Sequence, residues 1–193
     1  MKLLEDRIRK DGTVIGTGIV KVDSFLNHQM DPVLLDQLAA EFAKRFQDAG
    51  ATKVLTIEAS GIAVAVLTAL RMNVPAVYAK KSVSATIGKE YYTARVHSFT
   101  HDTDCDIALS KAYLNAEDRV LLIDDFLAEG EAMRGLTALC EQAGAEVAGI
   151  GVCVEKAFQP GGKWLREKGC HVESLAAIAS IDHGVITFCS DPE

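Results

Sequence analysis

Two runs that are apolar on both faces constrain the fold of this chain most. RVLLID (119–124) and EVAGIGVCVEK (146–156) carry few polar side chains, and a segment with helical spacing lies between them. The same order of strand, helix and strand occurs earlier, in TKVLTIE, GIAVAVLTALRM and PAVYAKK. Strands that are apolar on both faces are typical of parallel sheets covered on both sides by helices. The sequence therefore predicts an α/β fold with a parallel sheet flanked by helices.

The two ends of the chain do not follow this alternation. Residues 1–30 begin with a short amphipathic helix, MKLLEDRIRK, and residues 157–193 contain a brief helix, WLREKG, and two short apolar strands. With 193 residues, the chain is long enough for one domain with a two-sided core and short for two. We therefore expect a single domain, 1–193, in which both ends form a small cap, or hood, beside the sheet.

Charge and composition exclude several classes of protein. The formal net charge is -7, which argues against binding nucleic acid through bulk charge but leaves room for a local phosphate site. Charges are scattered through the first twelve residues, so no signal peptide is predicted, and the apolar runs are too short for membrane helices. Five cysteines without a Cys-x-x-Cys pair indicate reduced thiols. We expect a cytoplasmic protein that binds neither nucleic acid nor membranes.

The stretch VLLIDDFLAEGEA (120–132) places two carboxylates at the predicted end of a buried strand. Ligands bind outside the carboxyl ends of strands in open parallel sheets, which is where Asp124 and Asp125 are expected. The segment 128–132 then turns into a helix whose first amides have no internal partner and can hold a phosphate. Two adjacent carboxylates suit the hydroxyls of a sugar or a bridging metal ion. The alternative is that they cap the helix, which explains one acidic residue but not two.

A second turn and a lysine pair are predicted at the same edge. In TIEASGIA, the strand is expected to end at Glu58, and Ala59, Ser60 and Gly61 form a tight turn into a helix that offers another set of free amides. A plain glycine turn with Ser60 as an N-cap explains this stretch equally well. Lys80 and Lys81 follow the strand PAVYA and could neutralise a diphosphate. A solvated pair is the commoner meaning of two adjacent lysines, but their position at the carboxyl end of a strand, just before the segment 82–90, favours a role in the site.

The segment between this strand and the next apolar one is predicted to contain a loop and a hairpin. Residues 82–90, SVSATIGKE, are small and polar, which is typical of a mobile loop. YYTARVHSFT and CDIALSK follow as a pair of strands with an ill-defined turn at 101–104.

VLLIDDFLAEGEA resembles the phosphoribosyl diphosphate signature of the type I phosphoribosyltransferases. The resemblance implies that Asp124 and Asp125 are the catalytic pair, which holds the ribose. It also implies phosphate contacts from one loop: Ala128, Glu129, Gly130, Glu131 and Ala132. Glutamate at 129 and 131 departs from the Thr or Gly usual there. We expect both side chains to point to solvent, because inward carboxylates would repel a phosphate.

Three further stretches are similar to those of the bacterial xanthine phosphoribosyltransferases: KVDSFLNHQMDP (21–32), TIEASGIA (56–63) and GVCVEKAFQPG (151–161). The resemblance runs across the chain and implies a Rossmann-like fold with a hood. It implies a cytoplasmic homodimer of purine salvage that makes xanthosine 5′-monophosphate from xanthine and phosphoribosyl diphosphate. Mg²⁺ would bind with phosphoribosyl diphosphate, without a direct protein ligand. The turn Glu58–Ser60, often with a cis bond, and Lys80 and Lys81 would bind the diphosphate, and the segment 82–90 would close over the site.

The same resemblance assigns Val20, Asn27 and Lys156 to xanthine. Position 20 has Val where Leu is expected, and Ala128 stands where hypoxanthine-guanine relatives have an aspartate near N7 of the base. Two alternatives stay open, namely transfer to adenine or to hypoxanthine and guanine, and a non-catalytic regulator that senses phosphoribosyl diphosphate. Lys156 argues against adenine, because its ammonium is a donor and would face the amino group of adenine, which is also a donor. No histidine has metal-ligand spacing or a nucleophile partner in the sequence, so we assign the histidines no catalytic role.

Overall fold

A computed structural model describes residues 1–16, 18–81, 90–98 and 103–189. Its main feature is a six-stranded sheet with the order β10-β9-β8-β7-β3-β4. The strands are β3 (Lys53–Ile57), β4 (Ala76–Ala79), β7 (Arg119–Leu127), β8 (Glu146–Lys156), β9 (Val172–Asp182) and β10 (Val185–Phe188). All neighbours pair in parallel except β9 and β10. The predicted parallel sheet is confirmed.

Helices cover both faces of this sheet. They are α1 (Lys2–Asp11), α2 (Pro32–Arg45), α3 (Gly61–Met72), α4 (Glu131–Ala143) and α5 (Pro160–Glu167). Asp31 caps α2, because its Oδ1 accepts from the amides of Val33 and Leu34 at 3.1 Å. None of the helices in the described ranges is long and apolar enough to span a bilayer.

The strand β7 shows why its apolar run needs two layers of helices. Leu121 and Ile123 belong to the core cluster that contains side chains of α1, α2 and α3. Val120 and Leu122 belong to a second cluster, with side chains of α4 and α5. Successive side chains of a strand point to opposite faces, so one run supplies both cores.

The N-terminal part of the predicted hood is a small ribbon followed by a turn. Strands β1 (Thr13–Ile15) and β2 (Ile19–Lys21) pair antiparallel, and one π-helical turn spans Asp23–Asn27. Phe25 and Leu26 of this turn are buried in the same core cluster as α2 and α3. The hood is therefore anchored to the main core by its apolar side chains.

The C-terminal part of the hood prediction differs from the structure. Strands β9 and β10 lie within the main sheet, and β9 pairs in parallel with β8 from Ile150↔Val172 to Lys156↔Ile178. Leu175 and Ile178 of β9 are fully buried. The predicted boundary of the hood was wrong here, because these apolar side chains gain more burial as strands of the sheet than beside it.

The predicted hairpin is confirmed as β5 (Tyr91–Ser98) and β6 (Thr103–Ser110), which pair antiparallel in continuous register. The hairpin packs against α4, and a bridge between Lys80 and Ala108 joins it to the end of β4. Asp104 lies in β6 and not in the turn. The predicted loop at 82–90 lies almost wholly outside the described residues.

Candidate active site

A cleft of about 220 Å³ lies at the carboxyl edge of the sheet, where β3 and β7 end. Ten of the predicted site residues line it: Glu58, Ser60, Lys81, Asp124, Asp125, Ala128, Glu129, Gly130, Glu131 and Ala132. The other five do not: Val20, Asn27, Ala59, Lys80 and Lys156. The cleft therefore joins both predicted turns and the acidic pair, while the predicted base contacts lie beside it.

The acidic pair lies inside β7 and not at its end. The strand continues to Leu127, because Phe126 and Leu127 pair with Val154 and Glu155 of the longer strand β8. The expectation that the strand ends on the two aspartates was wrong by two residues. Helix capping does not explain the pair, since Gly130 occupies the N-cap of α4 and no side chain caps that helix.

Asp124 and Asp125 are both buried, with 5% and 7% of their surface exposed. The carboxylate of Asp124 accepts a hydrogen bond from the Asp125 amide at 2.9 Å. Burial raises the pKa of Asp124 well above its ordinary value, and the adjacent charge of Asp125 raises it further. A protonated carboxyl has a donor as well as acceptor capacity, so Asp124 can both donate to and accept from the hydroxyls of a sugar.

The loop 128–132 is held against the start of α5. Gly130 has a φ of 90°, a conformation that favours glycine, and a Cβ added there would lie 2.9 Å from the Cα of Gly161. The Gly161 amide donates to the Ala128 carbonyl at 3.0 Å. This packing brings the loop to the N-terminus of α4, where free amides and the helix dipole attract a phosphate.

Glu129 and Glu131 do not point freely to solvent as expected, since both are half-buried and line the cleft. Nearby cations offset their charge. Arg134 lies 3.7 Å from the Glu131 carboxylate. Burial lowers the pKa of the Lys156 ammonium below its ordinary value, and the nearby charge of Glu129 offsets part of this lowering. The expected repulsion is therefore reduced by pairing with a cation.

The second turn joins the ends of two strands. The Glu58–Ala59 peptide bond is cis, and the Glu58 carboxylate accepts from the Lys81 amide at 2.6 Å. Ser60 is the N-cap residue of α3, but its side chain makes no capping hydrogen bond, which removes the simpler explanation of this stretch.

The two lysines of the predicted pair have different surroundings. Lys81 lines the cleft, and its positive charge acts to lower the pKa of Asp124. The backbone of Lys80 exchanges hydrogen bonds of 2.9 and 2.8 Å with Ala108 of the hairpin. Lys81 thus faces the acidic pair, whereas Lys80 anchors the hairpin.

Of the three predicted base residues, Asn27 is hydrogen-bonded to the acidic pair and Lys156 to the hood. The Asn27 amide donates to Asp125 Oδ2 at 3.2 Å, and the Lys156 ammonium donates to the Gly18 carbonyl at 2.7 Å. Val20 is 7% exposed and belongs to the core cluster under α2. Asn27 therefore joins the hood to the acidic pair, and Lys156 joins it to β8.

Several lining residues were missed by sequence reasoning. Val96, His97 and Cys105 of the hairpin line the cleft, as do Phe126 and Met133. His97 Nδ1 lies 2.8 Å from Asp104 Oδ1. Phe126 and Met133 had a local signal, because they directly adjoin the acidic pair and the loop 128–132. The hairpin residues had none, because the hairpin reaches the cleft through packing on α4. Among the described residues, no group of three or more His, Cys, Asp or Glu side chains could hold a metal ion.

Comparisons with known proteins agree with this geometry. The family model described as the phosphoribosyl transferase domain matches residues 27–192. The xanthine phosphoribosyltransferase of Bacillus cytotoxicus is 53% identical over 97% of this chain and 95% of its own, and a Bacillus cereus xanthine phosphoribosyltransferase has the same values. A crystal structure of an adenine phosphoribosyltransferase from Giardia lamblia superposes with a TM-score of 0.76 at 23% identity, covering 90% of this chain and 97% of the other. The adenine phosphoribosyltransferase from Rhodothermus marinus superposes with a TM-score of 0.74 at 22% identity, covering 92% of this chain and 100% of the other.

Proposed function

The chain belongs to the phosphoribosyl transferase family, and on that premise we propose that it transfers the 5-phosphoribosyl group of phosphoribosyl diphosphate to N9 of xanthine. The products are xanthosine 5′-monophosphate and diphosphate. The observation that carries the proposal is the near-full-length similarity, 53% over 97% of the chain, to xanthine phosphoribosyltransferases. The adenine enzymes share the fold, but a similarity of 22–23% identity gives no information about the base that this chain uses.

Each part of phosphoribosyl diphosphate has a matching part of the cleft. Asp124 and Asp125 hold the ribose hydroxyls, and the amides of 128–132 at the start of α4 bind the 5-phosphate. The turn 58–60 and Lys81 lie across the cleft and bind the diphosphate, with Lys80 supporting the same strand end. Mg²⁺ would bind together with phosphoribosyl diphosphate, without a direct protein ligand, and would neutralise charge on the leaving diphosphate.

The reaction breaks the bond from C1 of the ribose to the diphosphate and forms the bond from C1 to N9. Xanthine is a weak acid and loses one proton to solvent, and the diphosphate leaves with the electron pair of the broken bond. Ala128 has no side chain that could take this proton. Catalysis therefore depends on holding the two substrates in line and on neutralising the diphosphate.

Base choice is assigned to the hood and the end of β8. Lys156 donates to the oxygen at C6, Asn27 contacts a polar edge of the base, and Val20 shapes the apolar wall of the pocket. The Gly18 carbonyl, which accepts from Lys156 in the structure, holds the ammonium beside the hood. An oxopurine suits these donors better than adenine, whose amino group is itself a donor.

The proposal includes two statements about the protein in the cell. It is a cytoplasmic enzyme, and it acts as a homodimer, as expected for a family whose members pair. A sedimentation run at assay concentration tests the second statement. A single species at the chain mass of 20.7 kDa would contradict it.

The function is tested by offering the protein xanthine, hypoxanthine, guanine and adenine, each with phosphoribosyl diphosphate and Mg²⁺. Chromatography of the products identifies the nucleotide formed. We expect xanthosine 5′-monophosphate to form fastest. Faster formation of another nucleotide would overturn the base assignment, and no nucleotide from any purine would overturn the activity.

A further inference from the structure

Thr56, two residues before the start of the turn at 58–60, has a buried hydroxyl without a hydrogen-bond partner among the described residues. The side chain lies in β3 and is 2% exposed, and its Oγ1 makes no hydrogen bond to any described residue. Its neighbours in the strand, Leu55 and Ile57, are apolar and pack in the core. Valine would fill the same space without an unpaired polar atom, so packing does not account for threonine here.

Gly61 shows what the hydroxyl faces. A Cβ added to this glycine would collide with Thr56 Oγ1 and would lie 2.6 Å from Asp124 Oδ1. Thr56 Oγ1 and Asp124 Oδ1 therefore both lie next to Gly61, the first residue of α3, in the space that a side chain at this position would occupy. Asp124 is 5% exposed, and the Asp125 amide is the donor that it has in the structure.

The role proposed for Asp124 creates a need for a second donor. A carboxylate that accepts a ribose hydroxyl must carry its charge in a buried place, beside the charge of Asp125. Buried carboxylates are stable as anions when several donors surround them. The Thr56 hydroxyl is an unpaired donor, and its oxygen and Asp124 Oδ1 lie next to the same space at Gly61. A rotation about χ1 of Thr56 or a shift of the carboxylate can join them.

We propose that Thr56 is a positioning residue that donates a hydrogen bond to the Asp124 carboxylate when phosphoribosyl diphosphate is bound. The inference rests on the function proposed above. Thr56 does not line the cleft, so its effect on the substrate passes through Asp124.

Thr56→Val tests this role, because it removes the hydroxyl and keeps the shape. Thr56→Ser restores the hydroxyl. Thr68→Val is the matched control, since Thr68 is also fully buried and its hydroxyl donates to the Val64 carbonyl within α3, at 2.8 Å. Two measurements are made on each variant: the melting temperature with and without Mg²⁺ and phosphoribosyl diphosphate, and the KM of each substrate.

We expect Thr56→Val to melt at or above the temperature of the unmodified protein when no substrate is added, because an unpaired polar atom is gone. The rise in melting temperature caused by phosphoribosyl diphosphate should shrink. The KM of phosphoribosyl diphosphate should increase about tenfold, which is the effect expected for the loss of one hydrogen bond to a charged group. The KM of xanthine should change little. Thr56→Ser should behave like the unmodified protein, and Thr68→Val should keep the normal response to phosphoribosyl diphosphate.

An unchanged response in Thr56→Val would overturn the role of Thr56. So would a lower melting temperature without substrate together with equal changes in both KM values, which indicates a structural role. The thermal measurement does not use the base, so it separates this inference from the base assignment. A reduced shift in Thr56→Val would support the role of Thr56 even if xanthine proved not to be the substrate.

Discussion

The two halves of the site are built in different ways. The half assigned to ribose and phosphates consists of strand ends and the turns that follow them, with Asp124 and Asp125 buried between β3 and β8. The half assigned to the base comes from the hood and the end of β8. One hydrogen bond, from Asn27 to Asp125, joins it to the acidic pair, and another, from Lys156 to Gly18, joins its own two parts.

This difference implies a division of work. Side chains on a sheet are positioned by the ladder and by packing on both faces, so the backbone of the ribose half is held in place before substrate binds. The hydrogen bonds of Asn27 and Lys156 can be exchanged for contacts with a base at low cost. We therefore expect changes in the ribose half to affect turnover or the binding of phosphoribosyl diphosphate, and changes in the hood to affect the use of the base.

The largest effect is expected for Asp125→Asn. The amide cannot replace a carboxylate toward a developing positive charge on the ribose, so kcat should fall about 100-fold or more. Circular dichroism and melting temperature should show an intact fold. Asp36→Asn is the control, because Asp36 is an exposed carboxylate on α2 that pairs with Arg71. Activity near normal in Asp125→Asn would remove this residue from the ribose half.

Lys156→Met comes next and tests the base half. Methionine keeps much of the length and removes the donor, which should cost roughly 1.5–3 kcal/mol in kcat/KM for xanthine. The KM of phosphoribosyl diphosphate should change little. Lys163→Met, a change to an exposed lysine on α5, should leave both values unaltered. Equal losses for both substrates would show that Lys156 supports the diphosphate or the fold.

Asn27→Ala cuts the contact that joins the two halves. Loss of one neutral donor should raise the KM of xanthine about threefold to tenfold, and it should also change the KM of phosphoribosyl diphosphate, because Asp125 loses a partner. Gln29→Ala is the control, since this exposed amide contacts only the Ser24 carbonyl among the described residues. If Asn27→Ala changes the KM of xanthine and leaves the KM of phosphoribosyl diphosphate unaltered, the two halves act independently.

The smallest effect concerns stability and its dependence on pH. The folded protein raises the pKa of Asp124, so between its ordinary value and the raised one the native state binds more protons than the unfolded state. The free energy of unfolding therefore falls as pH rises through that window. Asp124→Asn is neutral at every pH and should escape this loss.

Urea unfolding near neutral pH and at about pH 4 tests this sign. We expect Asp124→Asn to gain stability relative to the unmodified protein near neutral pH and to lose that advantage in acid. An advantage that is equal at both values would mean that the charge of Asp124 is not the cause.

Much of the fold could be predicted because its signals are local. The apolar runs of β7 and β8, the proline that opens α2 and the glycine that begins α3 each act within a few residues, so the strands and helices lie close to where we expected them. The acidic pair and both turns were identified in the same way. They meet in one cleft because the carboxyl ends of parallel strands share an edge.

The errors occurred where distant segments compete for the same surface. No local pattern indicates that β9 joins the sheet beside β8, or that Glu129 approaches Lys156. Nor does a local pattern place the hairpin in the cleft, since that depends on its packing against α4.

Local sequence thus established the strands, the helices and the stretches that carry the chemistry, because short-range sterics and periodicity set them. The contacts of Asn27 with Asp125 and of Lys156 with Gly18 span 98 and 138 residues. The approach of Thr56 to Asp124 across Gly61 likewise joins two strands. Such contacts depend on how the completed sheet, helices and hood pack together, and that packing alone brings the donors to the acidic pair.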